Sequence, residues 1–188
     1  AVTMTYLGLN LEVTNNRLID KDVVIDTGVG LVVSKFTTSY GIYNWSVILP
    51  QGPLLWPAIW LQGKDKWPPE IDVMEAYSDS NGRYKHKLNT NAYFGITPLH
   101  SSVRAFSSGW FIDKSKPILL TLDWRKDYIK IYYNNVLVRV IKSKSVLNWF
   151  NEHPLMEVVM DNAVRVGHKD KSWASFPFIV EWFSYAEG

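Results

Sequence analysis

The chain has 188 residues, with 20 Lys and Arg against 18 Asp and Glu, a formal net charge of +2, and no cysteine. This length predicts a single domain over residues 1–188. The missing cysteines exclude disulfides and thiolate metal sites, the scattered basic residues argue against a nucleic-acid partner, and no apolar run reaches the ~20 residues of a membrane span.

Runs of β-branched and aromatic residues recur along the chain between Gly, Pro, Asn and Asp, a pattern typical of an all-β sandwich. The predicted strands are Val23–Asp26, Gly30–Thr37, Tyr40–Leu49, Leu55–Leu61, Glu70–Tyr77, Lys87–Phe94, Ile118–Trp124, Tyr128–Tyr133, Val136–Ile141, Met156–Asn162 and Phe178–Tyr185. One helix is predicted over Lys144–Asn151, with Ser145 as its N-cap. Asn134 and Asn135 predict a tight hairpin turn, because Asn tolerates positive φ.

Three carboxylates lie in the predicted strand that begins at Glu70, an otherwise apolar run. Side chains alternate along a strand, so Glu70 and Asp72 share one face while Glu75 falls on the other. A β-bulge with Met74 as the extra residue would return Glu75 to the face of its companions, and two acids flanking a sugar bond are the machinery of glycoside hydrolysis. The alternative from the residues alone is an exposed acidic edge strand.

The residues around the acids extend this pattern. They are Gly30–Lys35, Tyr40–Ser46, the run Trp56–Leu61 (Trp-Pro-Ala-Ile-Trp-Leu), and Trp67-Pro68-Pro69 directly before Glu70. Together with the later strands they resemble glycoside hydrolase family 16 from about Gly30 to the C-terminus, and specifically its bulged branch of laminarinases, agarases and carrageenases. The resemblance implies a β-jelly-roll of two antiparallel sheets, concanavalin-like, with a substrate cleft across the concave one.

The resemblance also implies the roles of the acids. Glu70 is similar to the nucleophile of the family, Asp72 to the assisting acid and Glu75 to the general acid/base of a retaining double displacement. We expect Glu75 to keep its proton until substrate arrives, because neighbouring negative charges raise the cost of ionising it. Asp72 is expected to hydrogen-bond Glu70 and to orient it.

Six further residues are candidates for substrate binding. Trp67, Trp60 and Trp56 are candidate sugar platforms, although Trp56 and Trp60 suit the core equally well. Asn89 and Asn91 belong to the predicted cleft face of their strand, with Leu88 and Ala92 facing the core, and Asn91 stands where many bulged relatives have His. The remaining candidate is Asp161, for which a buried structural role is the alternative.

Other aromatic residues are assigned more simply. Trp124, Trp149 and Trp182 are predicted to lie in the core, whereas Trp110 and Trp173 are predicted at the rim of the cleft.

The predicted function is a retaining endo-glycosidase that cleaves internal β-linkages of a polysaccharide, with laminarin-type β-1,3-glucan first and a red-algal galactan second. The alternatives are a catalytically silent lectin-like binding module and a transglycosylase of the same family. We expect no required cofactor or metal, a structural calcium being possible without any acidic cluster that identifies it, and a monomer whose partner is the polysaccharide. The segment Ala1–Met4 lacks the features of a signal peptide, so a secreted, extracellular or periplasmic location is expected from the substrate alone.

Overall fold

A computed structural model describes residues 1–14, 18–20, 23–25, 28–95, 101–102, 105–106, 113, 116–164 and 176–188. Its elements in chain order are β1 (Val2–Thr5), β2 (Gly8–Leu11), β3 (Leu18–Asp20), β4 (Val23–Ile25), β5 (Gly30–Val33), β6 (Gly41–Ile48), β7 (Leu55–Gly63), β8 (Glu70–Ser78), β9 (Tyr84–Phe94), β10 (Ser101–Ser102), β11 (Ala105–Phe106), β12 (Ile118–Arg125), β13 (Tyr128–Tyr133), β14 (Val136–Ile141), α1 (Lys144–Glu152), β15 (Met156–Val164) and β16 (Phe178–Glu187).

Two antiparallel sheets face each other, as the jelly-roll prediction requires. The cleft sheet has the order β10-β9-β8-β7-β15-β5, with β11 also paired to β9, and the back sheet has the order β1-β2-β16-β6-β12-β13-β14. Strands β3 and β4 form a separate hairpin. The acid-bearing strand β8 therefore lies in the interior of the cleft sheet, between β7 and β9, which excludes the exposed edge strand.

The core lies between the two sheets and follows the strand alternation. Strand β12 alternates buried and half-buried residues along its whole length, and so does β13. Large side chains such as Trp45 and Trp124 of the back sheet and Phe150 of α1 are fully buried in this core. Because inward positions are filled, the outward face of each strand is left for solvent or ligand.

The hairpin turns follow their predicted chemistry. Arg125 pairs with Tyr128 across a turn of two residues, Lys126 and Asp127. Asn134 and Asn135 have φ of 47° and 65°, the left-handed conformation that a two-residue hairpin turn needs.

The helix needs one correction. It begins at Lys144 and buries Val146, Leu147 and Phe150 as predicted, but Ser143 rather than Ser145 occupies the N-cap. The Ser143 side chain makes no capping hydrogen bond and instead contacts the Ser145 hydroxyl at 2.9 Å. A serine therefore occupies the N-cap, as N-cap preference predicts, but it is not the predicted serine and its side chain does not cap the helix.

The predicted strand Gly30–Thr37 ends early, at Val33. The Ser34 hydroxyl donates to the carbonyl of Phe36 at 2.7 Å and accepts the Val158 backbone N–H at 3.0 Å. A serine side chain that occupies backbone partners in this way competes with the ladder and ends the strand.

Trp182 was wrongly predicted to be in the core. The register between β16 and β6 shifts between Val180 and Trp182, which reverses the alternation along β16. As a result Phe183 and Tyr185 pack against the core, while Trp182 is 47% exposed. Trp124 is buried as predicted, whereas Trp149 is only half-buried and stacks on His153 with 4.6 Å between the ring centroids.

Candidate active site

The predicted bulge is present in β8. Asp72 pairs with Asn91 of β9 and Glu75 pairs with Asn89, so that the two residues between the acids oppose the single residue Thr90. The pairing with β7 skips Val73, which makes Val73 rather than Met74 the extra residue. Val73 and Met74 are both fully buried in the core.

This bulge gives the acids a common face. Glu70, Asp72 and Glu75 all line one cavity of about 270 Å³ on the outer face of the cleft sheet. The same cavity is lined by Val29, Leu31, Trp56, Ala58, Trp60, Asp161 and Ala163. A carboxylate-lined cavity with indole and aliphatic walls suits a sugar, which presents hydroxyl groups and apolar faces together.

Glu70 is held at the start of β8 by the tryptophan that precedes it. The indole Nε1–H of Trp67 donates to Glu70 Oε2 at 2.8 Å. Burial raises the pKa of Glu70, the hydrogen bonds with Trp67 and Asp72 lower it, and the charge of Glu75 raises it further. A carboxyl group donates a hydrogen bond only when it is protonated, so the contact with Asp72 favours ionised Glu70 when Asp72 carries a proton.

Glu75 accepts two hydrogen bonds on one oxygen. Trp56 Nε1–H donates to Glu75 Oε1 at 3.1 Å, and the Tyr77 hydroxyl donates to the same oxygen at 2.7 Å. Glu75 itself is only 8% exposed. Two donors on Oε1 fix the plane of the carboxyl group and leave the chemistry to Oε2.

Asp161 is a fourth carboxylate in the cavity, on β15. Trp60 Nε1–H donates to Asp161 Oδ1 at 2.8 Å. Burial raises the pKa of Asp161 from 3.8 to about 6, opposed by the hydrogen bond from Trp60 and assisted by the charge of Glu75. A group with this pKa changes its charge within the range in which enzymes work.

The asparagines of β9 lie beside the acids. Leu88 and Ala92 belong to the core, as the alternation predicted, whereas Asn89 and Asn91 are only 5% and 1% exposed and are not among the described residues that line the cavity. Asn91 Oδ1 accepts the Ala92 backbone N–H at 3.0 Å, and its Nδ2 has no partner among the described residues. Asn91 therefore satisfies backbone and still has amide hydrogens to donate.

The candidate tryptophans share a contact that the sequence did not reveal. Each of Trp67, Trp60 and Trp56 donates its indole N–H to a carboxylate. Trp67 keeps 41% of its surface exposed and packs against Tyr93 with 5.6 Å between the ring centroids. Trp110 and Trp173 lie outside the described residues.

Sequence reasoning missed one donor at the site. Tyr77 follows Glu75 by two positions in β8 and so projects to the same face. The predicted bulge that returns Glu75 to the face of Glu70 and Asp72 would have selected Tyr77 as well.

The described part of the chain has neither a metal-binding cluster nor a membrane-spanning helix. No group of three or more His, Asp or Glu side chains there is arranged to hold a metal ion. None of the helices described is long and apolar enough to span a bilayer.

Three comparisons place the chain among known proteins. An 86-residue segment, 45% of this chain and 18% of the relative, is 28% identical to the endo-1,3-1,4-beta-glycanase ExsH of Rhizobium meliloti. The laminarinase catalytic domain from Thermotoga maritima superposes with a TM-score of 0.77 at 18% identity, covering 100% of this chain and 80% of that one. The kappa-carrageenase from Pseudoalteromonas carrageenovora gives 0.73 at 15% identity, covering 97% and 80%.

The sequence profile of the glycosyl hydrolases family 16 matches residues 2–177. The match begins well before Gly30, where the motif resemblance starts, and so takes in β1 and β2 of the back sheet. The chain belongs to glycosyl hydrolase family 16.

Proposed function

We propose that the chain is a retaining endo-glycosidase that hydrolyses internal β-linkages of a neutral polysaccharide, with laminarin-type β-1,3-glucan as the first candidate. The observation that carries this proposal is the bulge of β8, which brings Glu75 back to the cavity that Glu70 and Asp72 line. The segment matched to ExsH covers only 18% of that relative's length, so the activity of that relative does not identify the substrate of the whole protein, and the substrate is proposed.

Glu70 is proposed as the nucleophile. When Asp72 holds the proton of the pair, it donates to Glu70, which then presents a carboxylate to the anomeric carbon of the sugar. Attack forms a covalent glycosyl ester and breaks the bond to the leaving oxygen. The Trp67 indole, which donates to Glu70 Oε2, holds the carboxylate in line for this attack.

Glu75 is proposed as the general acid and then the general base. It gives the proton on Oε2 to the departing glycosidic oxygen, while Oε1 stays bound by Trp56 and Tyr77. In the second step the ionised Glu75 takes a proton from water, which attacks the ester and releases a product of unchanged anomeric configuration.

The cavity charge supports a neutral substrate. Its four carboxylates are Glu70, Asp72, Glu75 and Asp161, and no Lys or Arg is among the described residues that line it. Sulfate groups of an algal galactan would add like charges to this site, whereas the hydroxyl groups of a glucan would not.

A lectin-like module explains these contacts less well. A binding site gains nothing from a bulge that gathers three acids. It also gains nothing from the indole hydrogen bonds that orient Glu70 and Glu75. A transglycosylase would use the same residues, because it forms the same covalent intermediate and differs only in the acceptor. Since polysaccharides do not cross membranes, we also propose that the protein acts outside the cytoplasm.

The test is a screen of laminarin, mixed-linkage glucan, agarose, porphyran and carrageenans for new reducing ends, with products followed by NMR for anomeric configuration. We expect release of oligosaccharides from laminarin with retention. Inversion, or activity that survives in Glu70→Ser, would contradict the mechanism. Glu75→Gln should lose polysaccharide hydrolysis but still form the glycosyl intermediate from substrates whose aryl leaving group needs no proton.

A further inference from the structure

The bulge that gathers the acids is held by a side chain from the opposite sheet. The Tyr133 hydroxyl, in β13 of the back sheet, donates to the backbone carbonyl of Val73 at 2.7 Å. A second, longer contact of 3.5 Å reaches the carbonyl of Asn89 on β9. Tyr133 thus crosses the core and ends at the extra residue of the bulge.

The bulged carbonyl needs such a donor. Val73 has no partner in the register between β7 and β8, and its side chain is fully buried. A buried carbonyl without a hydrogen bond is unfavourable, so a bulge inside a sheet persists only where its backbone groups find other partners. Tyr133 supplies that partner.

Tyr133 is well placed to remain a donor. It directly precedes the Asn134–Asn135 turn and belongs to the inward face of β13 with Ile129 and Ile131. Burial and the charges of Glu75 and Asp72 raise its pKa well above the ordinary tyrosine value, so the hydroxyl stays protonated throughout the working pH range.

We propose that Tyr133 is a positioning residue for the reaction: its hydroxyl fixes the bulge at Val73 and thereby the placement of Glu75 relative to Glu70. This inference rests on the proposed hydrolase function. Without the hydroxyl the bulge can relax, and Glu75, two residues further along the strand, moves with it. A small misplacement of a catalytic group lowers the rate far more than it lowers substrate binding.

The test compares Tyr133→Phe with Tyr84→Phe. Tyr84 is a matched control, because it is also a buried core tyrosine whose hydroxyl donates to a backbone carbonyl, that of Pro50 at 2.8 Å. We expect Tyr133→Phe to lower kcat on polysaccharide roughly 10- to 100-fold with little change in KM. The loss should shrink on a substrate with an aryl leaving group, which needs no proton from Glu75, while Tyr84→Phe loses little on either.

Two measurements do not depend on activity. In Tyr133→Phe the amide hydrogens of Met74 and Glu75 should exchange faster than in Tyr84→Phe, at a comparable melting temperature. In the unmodified chain with labelled tyrosine, NMR should show a slowly exchanging Tyr133 hydroxyl proton close to the Met74 amide. If Tyr133→Phe does not fold, this NMR measurement alone decides the inference.

Equal rate losses in the two variants would overturn the proposal, and so would unchanged exchange at Met74 and Glu75 or a rapidly exchanging Tyr133 hydroxyl. A chain that cleaves no glycan in the screen would refute the proposed function instead. The exchange measurements would then still report whether Tyr133 holds the bulge.

Discussion

At the scale of single residues, the cavity pairs carboxylates with tryptophans. Glu70, Glu75 and Asp161 each accept an indole N–H, at 2.8, 3.1 and 2.8 Å. An indole donates one hydrogen bond and accepts none, so it orients a carboxylate without competing for the proton that the chemistry moves. The tryptophans that contact these acids therefore orient the carboxylates, in addition to the sugar-stacking role predicted for them.

Trp67→Phe separates these two roles. Phenylalanine keeps an aromatic ring but removes the hydrogen bond that lowers the pKa of Glu70, so this pKa should rise. A nucleophile must be ionised, and the acidic limb of the kcat/KM profile should therefore move to higher pH. The profile is measured on laminarin oligosaccharides between about pH 3 and 9.

Trp60→Phe is the matched control for this shift. It removes the donor to Asp161 and leaves the bond between Trp67 and Glu70 in place. The acidic limb of the kcat/KM profile of Trp60→Phe should therefore move less than that of Trp67→Phe. An equal shift in both variants would show that the limb does not report Glu70.

Asp161 makes a prediction about stability. Its pKa is 3.8 in the unfolded chain and about 6 in the fold, so the folded state binds more protons between these values. The contribution of Asp161 to the free energy of unfolding is therefore fully present below pH 4 and is lost as the pH rises through 6, by at most about 3 kcal/mol.

Asp161→Asn removes this titration. The free energy of unfolding of the variant, relative to that of the unmodified chain, should therefore be higher at pH 7 than at pH 4. Urea unfolding at both pH values measures this difference. Asp65→Asn, which neutralises an exposed carboxylate, is the control. A constant stability difference between Asp161→Asn and the unmodified chain at the two pH values would contradict the assignment.

Much of the site could be predicted from local pattern. Strand alternation and the spacing of the acids placed Glu70 and Asp72 together and required a bulge for Glu75, and all three line the cavity. The identity of the extra residue, Val73, depends on pairing with neighbouring strands. Tyr133 was beyond local reasoning, because it is about 60 residues from the bulge and belongs to the other sheet.

At the scale of elements, the bulge of β8 depends on how many of its residues oppose each residue of β9. The residues Val73 and Met74 oppose one residue of β9, so deleting Val73 would give one residue against one. Glu70, Asp72 and Glu75 would then stand at every second position of a regular strand and keep a common face. Inserting a residue at the same place would also restore the alternation, but it would move Glu75 two positions, about 6.6 Å, further along the strand from Asp72 than the bulge places it.

Deletion of Val73 should accordingly leave measurable hydrolysis, below that of the unmodified chain because the acceptor of Tyr133 is lost. Insertion of Ala between Val73 and Met74 should move Glu75 out of reach of the bond that Glu70 attacks and so remove general acid catalysis, a loss on the order of 10²- to 10⁴-fold. Reducing-end release and near-UV circular dichroism are measured for both variants. A folded deletion variant as inactive as the insertion variant would refute the counting argument.

The elements themselves were predictable where alternation was strong. Strands β12, β13 and β14 follow their predicted bounds closely, because inward positions are apolar and the turns carry their own signals. Strand β1 was missed although Val-Thr-Met-Thr alternates apolar and polar residues, because a run of only four residues, all of them exposed, is a weak strand signal. Trp182 was misplaced because a register shift in β16 reverses the alternation, and only pairing with β6 reveals it.

At the scale of the whole molecule, the formal net charge of +2 says little about the cavity. Positive and negative side chains nearly balance over the chain, whereas four carboxylates meet in a space of about 270 Å³. A ligand that enters the cleft interacts with the electrostatic field of the carboxylates that line it, and the net charge of the chain does not describe that field. The near-neutral chain is therefore no argument for a sulfated substrate.

The contrast between a nearly neutral chain and a cavity lined by carboxylates predicts how ligand binding depends on salt. We expect laminari-oligosaccharides to bind Glu70→Ser with an affinity that hardly changes between about 0.01 and 0.1 M salt, over which the Debye length falls from about 30 to 10 Å. Kappa-carrageenan oligosaccharides of equal length should bind more weakly, and their affinity should rise with salt because screening reduces repulsion. Calorimetric titration measures both. Adding Asp161→Asn to Glu70→Ser should narrow the gap at low salt, since it removes one of the three carboxylates that remain in the cavity. Tighter binding of the sulfated ligand that weakens with salt would instead indicate a basic cleft and a galactan substrate.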